Sequence, residues 1–306
     1  MKKRSKWTII ISLLLVVTSA FIVLLQFEKK YSLRHYFEDW KSESDDQFAS
    51  VLYGTSLQYP GTHQYEKIFQ DVKLDFWAEM IYSIENGRVY FFGSEDDTDQ
   101  KLSSWKIASM KTDKTDVKIH YEVKVPSVFK YYDLSNTDLD YIQFGAHPEK
   151  YGGLYDDHKI YLKTDSGICV YDIINDSIAP IDALPQSEYA IDTFRTSCVV
   201  ITKDNEPSRT ITLESMAKTN AYVNQLLEFN NNRTLNGKTF LEDIFSYARV
   251  LNGEIYLVCR VYNLYEAPYV IVFRYEYDTD SVYYVTSAES GEHVEVFYAF
   301  IPIYEE

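Results

Sequence analysis

Few residues in this chain have the type and spacing that chemistry needs. Its six histidines, His35, His63, His120, His147, His158 and His293, are dispersed along the sequence. They form no His-Glu-x-x-His helix and no Cys/His cluster of zinc spacing. Ser103-x-x-Lys106 and Ser127-x-x-Lys130 set a lysine three residues after a serine, a spacing that lets the amine take the hydroxyl proton. Neither is accompanied by the Ser-Asp-Asn or Lys-Thr-Gly elements that complete such a site. Gly237-Lys238-Thr239 has the ending of a phosphate-cradling loop, but the earlier glycine such a loop needs is Asn232. Carboxylates alternate in Glu95-Asp96-Asp97-Thr98-Asp99 and in Asp278-Thr279-Asp280. Hard oxygen ligands suit Ca²⁺, yet both stretches lack the fixed Gly and Glu of a calcium loop and read as solvated hairpin loops. No catalytic residue, metal ligand or cofactor is assigned on this basis. The strongest candidate for ligand contact is aromatic: Tyr262, Tyr265 and Tyr269 fall within eight residues of one loop. Tyrosine gives large apolar area and a polar tip at low entropic cost. The same three rings would serve equally to cover a neighbouring strand.

The elements that must position these residues are strands. One pattern occurs three times: Asn86-Gly87-Arg88-Val89-Tyr90-Phe91, Asp157-His158-Lys159-Ile160-Tyr161-Leu162 and Asn252-Gly253-Glu254-Ile255-Tyr256-Leu257. Each is a tight turn at positive φ followed by alternating apolar residues, the signature of a hairpin. The clearest unit covers residues 243–288, with strands expected at 243–251, 254–262, 269–277 and 282–287. Here Ile255, Leu257, Cys259 and Val261 share a buried face and Glu254 faces out. Residues 79–124 read the same way, with strands at 79–84, 88–93, 103–110 and 116–124, and a third unit spans about 150–183. Four antiparallel strands in about 45 residues is the size of one propeller blade. A helix is expected over 214–229, where Met216, Asn220, Val223 and Leu227 share a face. The fold class expected is all-β: β-propeller-like antiparallel four-stranded repeats, preceded by one N-terminal transmembrane helix.

The stretch His158 to Ile181 resembles the repeat of PQQ-like and related propellers, in which a hydrophobic-Tyr strand leads through an Asp-Gly turn into the next strand. Tyr151-Gly152-Gly153 is similar to the double glycine of kelch blades. The closing tryptophan of the PQQ repeat and the spaced Tyr and Trp of kelch are absent, so the resemblance implies a blade and no cofactor.

Trp7–Phe27 carries no charge and, at about 1.5 Å per residue, matches a bilayer core of about 30 Å. Lys2, Lys3, Arg4 and Lys6 precede it, which places that flank in the cytoplasm. Thr18-Ser19-Ala20 offers a signal-cleavage site, but Phe21–Leu25 continues the apolar run, so the segment reads as a retained anchor. The organisation expected is a short cytoplasmic tail (1–6), a membrane anchor (7–27), a juxtamembrane linker (28–47) and an extracytoplasmic domain (48–306). The net charge is −16, and it resides beyond the basic N-terminus. Such a field repels phosphate backbones and excludes nucleic acid as a partner. Cys169, Cys198 and Cys259 are odd in number and lie in apolar strand patterns, as buried free thiols do. The function expected is a membrane-anchored binding or scaffolding module with a protein or glycan ligand. The alternatives are a propeller-type enzyme acting on glycans or cell-envelope material, and a structural accessory subunit of a membrane complex.

Overall fold

A computed structural model describes residues 14, 16–22, 37, 39–52, 55–62, 64–97, 102–126, 152–164, 167–183, 185, 187–194, 198–204, 206–231, 245–263, 266–289 and 300–304. The chain divides into two compact units, Met1–Trp40 with Asn263–Glu266, and Lys41–Tyr262 with Ala267–Glu306. In the first unit, residues 14 and 16–22 are helical. Leu14, Val16, Val17, Phe21 and Ile22 are exposed on that helix, and Thr18 returns its hydroxyl to the Leu14 carbonyl at 2.8 Å, hiding its polarity in an apolar surface. Among the described residues, no helix is long and apolar enough to cross a membrane. Most of the expected Trp7–Phe27 span lies outside the described residues.

The second unit is built of antiparallel sheets. Its strands are β1 (Gln47–Leu52), β2 (Ser56–Gln58), β3 (Glu66–Lys67), β4 (Trp77–Glu85), β5 (Arg88–Asp97), β6 (Leu102–Lys111), β7 (Lys118–Pro126), β8 (Gly152–Asp156), β9 (Lys159–Thr164), β10 (Gly167–Asp172), β11 (Ser177–Ile181), β12 (Tyr189–Phe194), β13 (Cys198–Lys203), β14 (Arg209–Ile211), β15 (Phe245–Leu251), β16 (Glu254–Asn263), β17 (Glu266–Glu276), β18 (Ser281–Glu289) and β19 (Phe300–Tyr304). They form an eight-stranded sheet of order β3-β2-β1-β19-β4-β5-β6-β7, two four-stranded sheets, β8–β11 and β15–β18, and a three-stranded sheet, β12–β14. Inside the large sheet, β19 pairs antiparallel with β1, Phe48 opposite Pro302. It meets β4 in parallel over only Ile303↔Ile84 and Tyr304↔Glu85.

The strand alternation that builds this core is readable residue by residue. Met80, Tyr82, Tyr90, Phe92 and Trp105 enter one core, which also takes Ile160, Leu162 and Tyr171 from β9 and β10 and Tyr256, Val258 and Val272 from β16 and β17. Ile81, Val89, Phe91, Ala108 and Met110 enter a second core on the opposite face, lined by Leu57 and Ile68. Ile84 joins Ile81 on that face despite the odd spacing, because the β4–β5 register shifts between Ile81 and Ser83. Ile255, Leu257, Cys259 and Val261 are buried as expected, with Glu254 exposed, but Tyr256 and Val258 are buried too. Strand β16 is therefore covered on both faces.

Two expectations need correction. The acidic stretch after Gly93 is not all loop: β5 continues through Asp97, which pairs with Leu102. The reason is Lys106, whose side chain is only 5% exposed and lies 3.1 Å from Glu95 and 3.2 Å from Glu122. A buried ammonium needs such partners, and they hold the strand ends together. The expected helix is two helices, α1 (Leu213–Met216) and α2 (Ala221–Asn231). Asn220 does not continue a helical face. Its side-chain oxygen accepts from the backbone N–H groups of Tyr222 and Val223 at 3.0 and 3.1 Å, starting α2 as a cap.

Candidate functional site

The three recurring turns share one conformation. Both central residues lie at positive φ in each: Asn86 at 49° and Gly87 at 70°, Asp157 at 48° and His158 at 57°, Asn252 at 53° and Gly253 at 79°. Each closes on a strand pair in register, Glu85↔Arg88, Asp156↔Lys159 and Leu251↔Glu254. These are type I′ hairpins, whose backbone matches the strand twist. The equivalence extends further: the Gly87 carbonyl accepts from Thr112 N–H and the His158 carbonyl from Ile173 N–H, both at 2.9 Å.

Tyr304 of β19 touches all three turns. Its backbone carbonyl accepts from Asn86 N–H at 2.9 Å. Its ring packs against the His158 imidazole with centroids 4.3 Å apart. Its hydroxyl accepts from the Asn252 side-chain amide, and the Asn252 side-chain oxygen accepts from Asp157 N–H at 2.5 Å. Where its siblings carry glycine, His158 holds a left-handed backbone that costs a residue with a Cβ about 1–2 kcal/mol. Its gain is a contact: Nδ1 lies 2.8 Å from the carboxylate of Glu85. Glu85 is buried, and Ser83 donates to its other oxygen at 3.0 Å. Beside this junction lies a cavity of about 230 Å³. Phe48, Tyr256, Ile303 and Tyr304 form its aromatic and apolar walls, and Asp45 and Asp46 its charged side. Asp46 accepts from the Ser44 hydroxyl at 2.5 Å, and Arg274 approaches it to 3.8 Å. Burial, and then the negative charge of Asp46, keep the Tyr256 hydroxyl protonated far above its ordinary range.

A second cluster has the outline of a hydrolytic triad. Ser109 Oγ lies 2.7 Å from His120 Nε2, and His120 Nδ1 lies 3.0 Å from Asp176. The Tyr171 hydroxyl donates to the same carboxylate oxygen at 2.7 Å and lies 2.8 Å from His120 Nδ1. Burial lowers the His120 pKa, and the Tyr171 hydrogen bond lowers that of Asp176. The serine is not available for attack. It is fully buried, and Arg88 donates to its oxygen through Nε at 3.1 Å and Nη2 at 3.0 Å. With its oxygen accepting twice from Arg88 and its proton directed to His120, the buried hydroxyl is fixed inside the sheet and is not presented to a substrate. The cluster instead ties β6 and β7 to the turn between β10 and β11. A parallel link recurs in the last sheet, where Tyr275 donates to Asp280 at 2.7 Å and Arg209 of β14 lies 4.0 Å from the same carboxylate.

Of the sequence-predicted ligand tyrosines, Tyr262 falls in β16 and Tyr269 in β17. Tyr269 is 7% exposed, so its ring is packed in the fold. Tyr265 lies outside the described residues, as does Gly237-Lys238-Thr239. The cavity residues Asp45, Asp46 and Tyr304 were not singled out, since they meet only when β19 joins β1. The Tyr-x4-Asp-Ser spacing shared by Tyr171/Asp176 and Tyr275/Asp280 was a legible signal for the second cluster. Cys169, Cys198 and Cys259 are free, with Cys259 buried.

No protein-family model matches this chain. No curated protein matches it. Among solved structures it is similar to an S. cerevisiae Dbp5 variant bound to Nup159, a Gle1 variant, IP6 and ADP, at 8% identity over 82% of this chain and 52% of that one, with a TM-score of 0.21. It is also similar to the N-terminal domain of Nup159, at 7% identity over 80% of this chain and 69% of that one, with a TM-score of 0.18. The chain spans about half the length of the first of these. Likenesses of that quality establish neither fold nor function.

Proposed function

We propose that this chain is a binding or scaffolding module, carried outside the cytoplasm on an N-terminal membrane anchor and built on a five-bladed propeller. The blades would be β4–β7, β8–β11, β12–β14, β15–β18, and a closing blade in which β19 joins β1–β3. The two-residue parallel join of β19 to β4 supports drawing a blade boundary there. The anchor rests on the uncharged Trp7–Phe27 run, its basic flank and the exposed apolar side chains of the helical residues described within it. One observation carries the binding reading: three equivalent turns meet at Tyr304 beside a cavity with a mixed aromatic and carboxylate lining. Tyr304 is the shared member of the junction and of the recess lining, and concave sites with a few placed polar groups are where ligands bind. The enzymatic alternative is less well supported, because the one Ser-His-Asp arrangement among the described residues has its serine saturated. The reading is tested in membrane vesicles bearing the full chain. Cysteine introduced at Asp45 should react with an impermeant maleimide from the outer side only. Labelling only after the vesicles are opened would overturn the topology. Hydrolysis of isolated cell-envelope material by the purified chain would overturn the non-enzymatic assignment.

A further inference from the structure

Resting on that binding reading, we propose that the cavity beside Tyr304 takes an organic cation of side-chain size, an alkylammonium or guanidinium presented by a protein partner. The argument starts from volume. At about 230 Å³ the recess is smaller than the roughly 300–1,000 Å³ typical of small-molecule sites. It accepts one protruding group, not a nucleotide or an oligosaccharide. The second step is chemistry. Tyr256, Tyr304 and Phe48 present ring surface, and Asp45 and Asp46 present carboxylates. Ring faces attract cations through their quadrupole while also covering the methylene stem that carries the charge. An anion meets the opposite situation on both counts.

The third step is preorganisation. Asp46 is fixed before any ligand arrives: the Ser44 hydroxyl donates to it at 2.5 Å, and its own N–H donates to Ser44 Oγ at 3.2 Å. Arg274, at 3.8 Å, offsets one negative charge. Two carboxylates against one guanidinium leave the recess anionic, and Asp45 is exposed at its edge. A chain of net charge −16 adds a long-range field of the same sign, which speeds the approach of a cationic partner.

The test uses the full chain in mild detergent and measures binding by saturation-transfer NMR and calorimetry. The probes are N-acetyl-lysine methylamide, N-acetyl-arginine methylamide and the uncharged isostere N-acetyl-norleucine methylamide, with glucosamine as a non-protein ammonium. The lysine or arginine probe should bind at least about tenfold tighter than norleucine. Asp45→Asn, a change at an exposed position, and Asp46→Asn should each weaken that binding by about threefold or more, with unfolding midpoints near wild type. Equal binding of norleucine, or full affinity in both Asn variants, overturns the proposal. So does the absence of binding by either cationic amino-acid probe. If glucosamine alone binds, the cation chemistry stands and the protein source is overturned. If a neutral sugar or an apolar peptide occupies the recess, the cation inference fails while the binding-module reading survives.

Discussion

His120→Ala is the most informative single change in the molecule. The substitution removes the acceptor for the Ser109 proton, 2.7 Å away, and leaves that proton without an acceptor at a fully buried position, while Arg88 still donates to the oxygen. Such a loss costs about 1–3 kcal/mol. The ring also packs against Tyr171 and Tyr90, with centroids at 4.8 and 5.7 Å, and aromatic pairs contribute about 0.5–1.5 kcal/mol. A destabilisation of about 2–4 kcal/mol follows, to be read from urea unfolding followed by tryptophan fluorescence. Asp176→Asn should cost less than about 1 kcal/mol, because the carboxylate is 74% exposed and water screens it. The pH dependence has a definite sign. Burial holds the folded pKa of His120 below its ordinary value, so the unfolded chain binds the extra proton first. The stabilisation is fully present above about pH 6.5 and declines as pH falls through the folded pKa. The gap between wild type and His120→Ala should therefore narrow between about pH 7.5 and about pH 5. A cost below about 0.5 kcal/mol, or a gap that widens on acidification, would refute the hydrogen-bond assignment.

Three further outcomes are expected. Leu257→Ala should destabilise by about 2–5 kcal/mol in the same unfolding assay, since the side chain has no exposure and its strand is covered on both faces; a change under about 0.5 kcal/mol would mean that the strand face is misassigned. Gly253→Ala should cost only about 1–2 kcal/mol, because its φ of +79° strains an L residue while an added Cβ meets nothing within 4 Å; a much larger loss in thermal midpoint would point to a steric role. Ser109 should stay unlabelled by a fluorophosphonate probe in intact-protein mass spectrometry, and a stoichiometric adduct there would restore the hydrolase reading.

How much of this was legible follows from which interactions are local. A type I′ turn requires two residues that tolerate positive φ, so Asn86-Gly87 and Asn252-Gly253 announce themselves, and alternation then fixes strands to within a few residues. Asp157-His158 was placed by the apolar pattern after it, and the structure confirms the shared conformation. Helix periodicity failed at Asn220 because a cap and a buried helix face share the same spacing. Its amide is fixed by the Val282 carbonyl at 3.1 Å and by Glu43 at 2.6 Å, partners remote in sequence. The second and third recurring turns are far apart in sequence because the sheet β12–β14 and both helices lie between them. The link from His120 to the Tyr171–Asp176 pair and the recess at Tyr304 were hidden for one reason. Each joins residues from different sheets, and alternation within a strand carries no information about which sheet lies opposite.

The pairing of β19 with β1 also sets an order of events. Phe48 cannot find Pro302 until nearly all the intervening chain has been made, and in the proposed topology until it has crossed the membrane. Until then both β1 and β4 lack their β19 neighbour, with unpaired amides and carbonyls along each edge. Contacts so distant in sequence close slowly, and open edges invite pairing with other chains. The same strand that gathers the three turns at Tyr304 is thus the last of the described strands to be delivered. The recess beside it cannot exist before β19 has been made, so a partner that reads the recess distinguishes chains in which β19 has docked from those in which it has not.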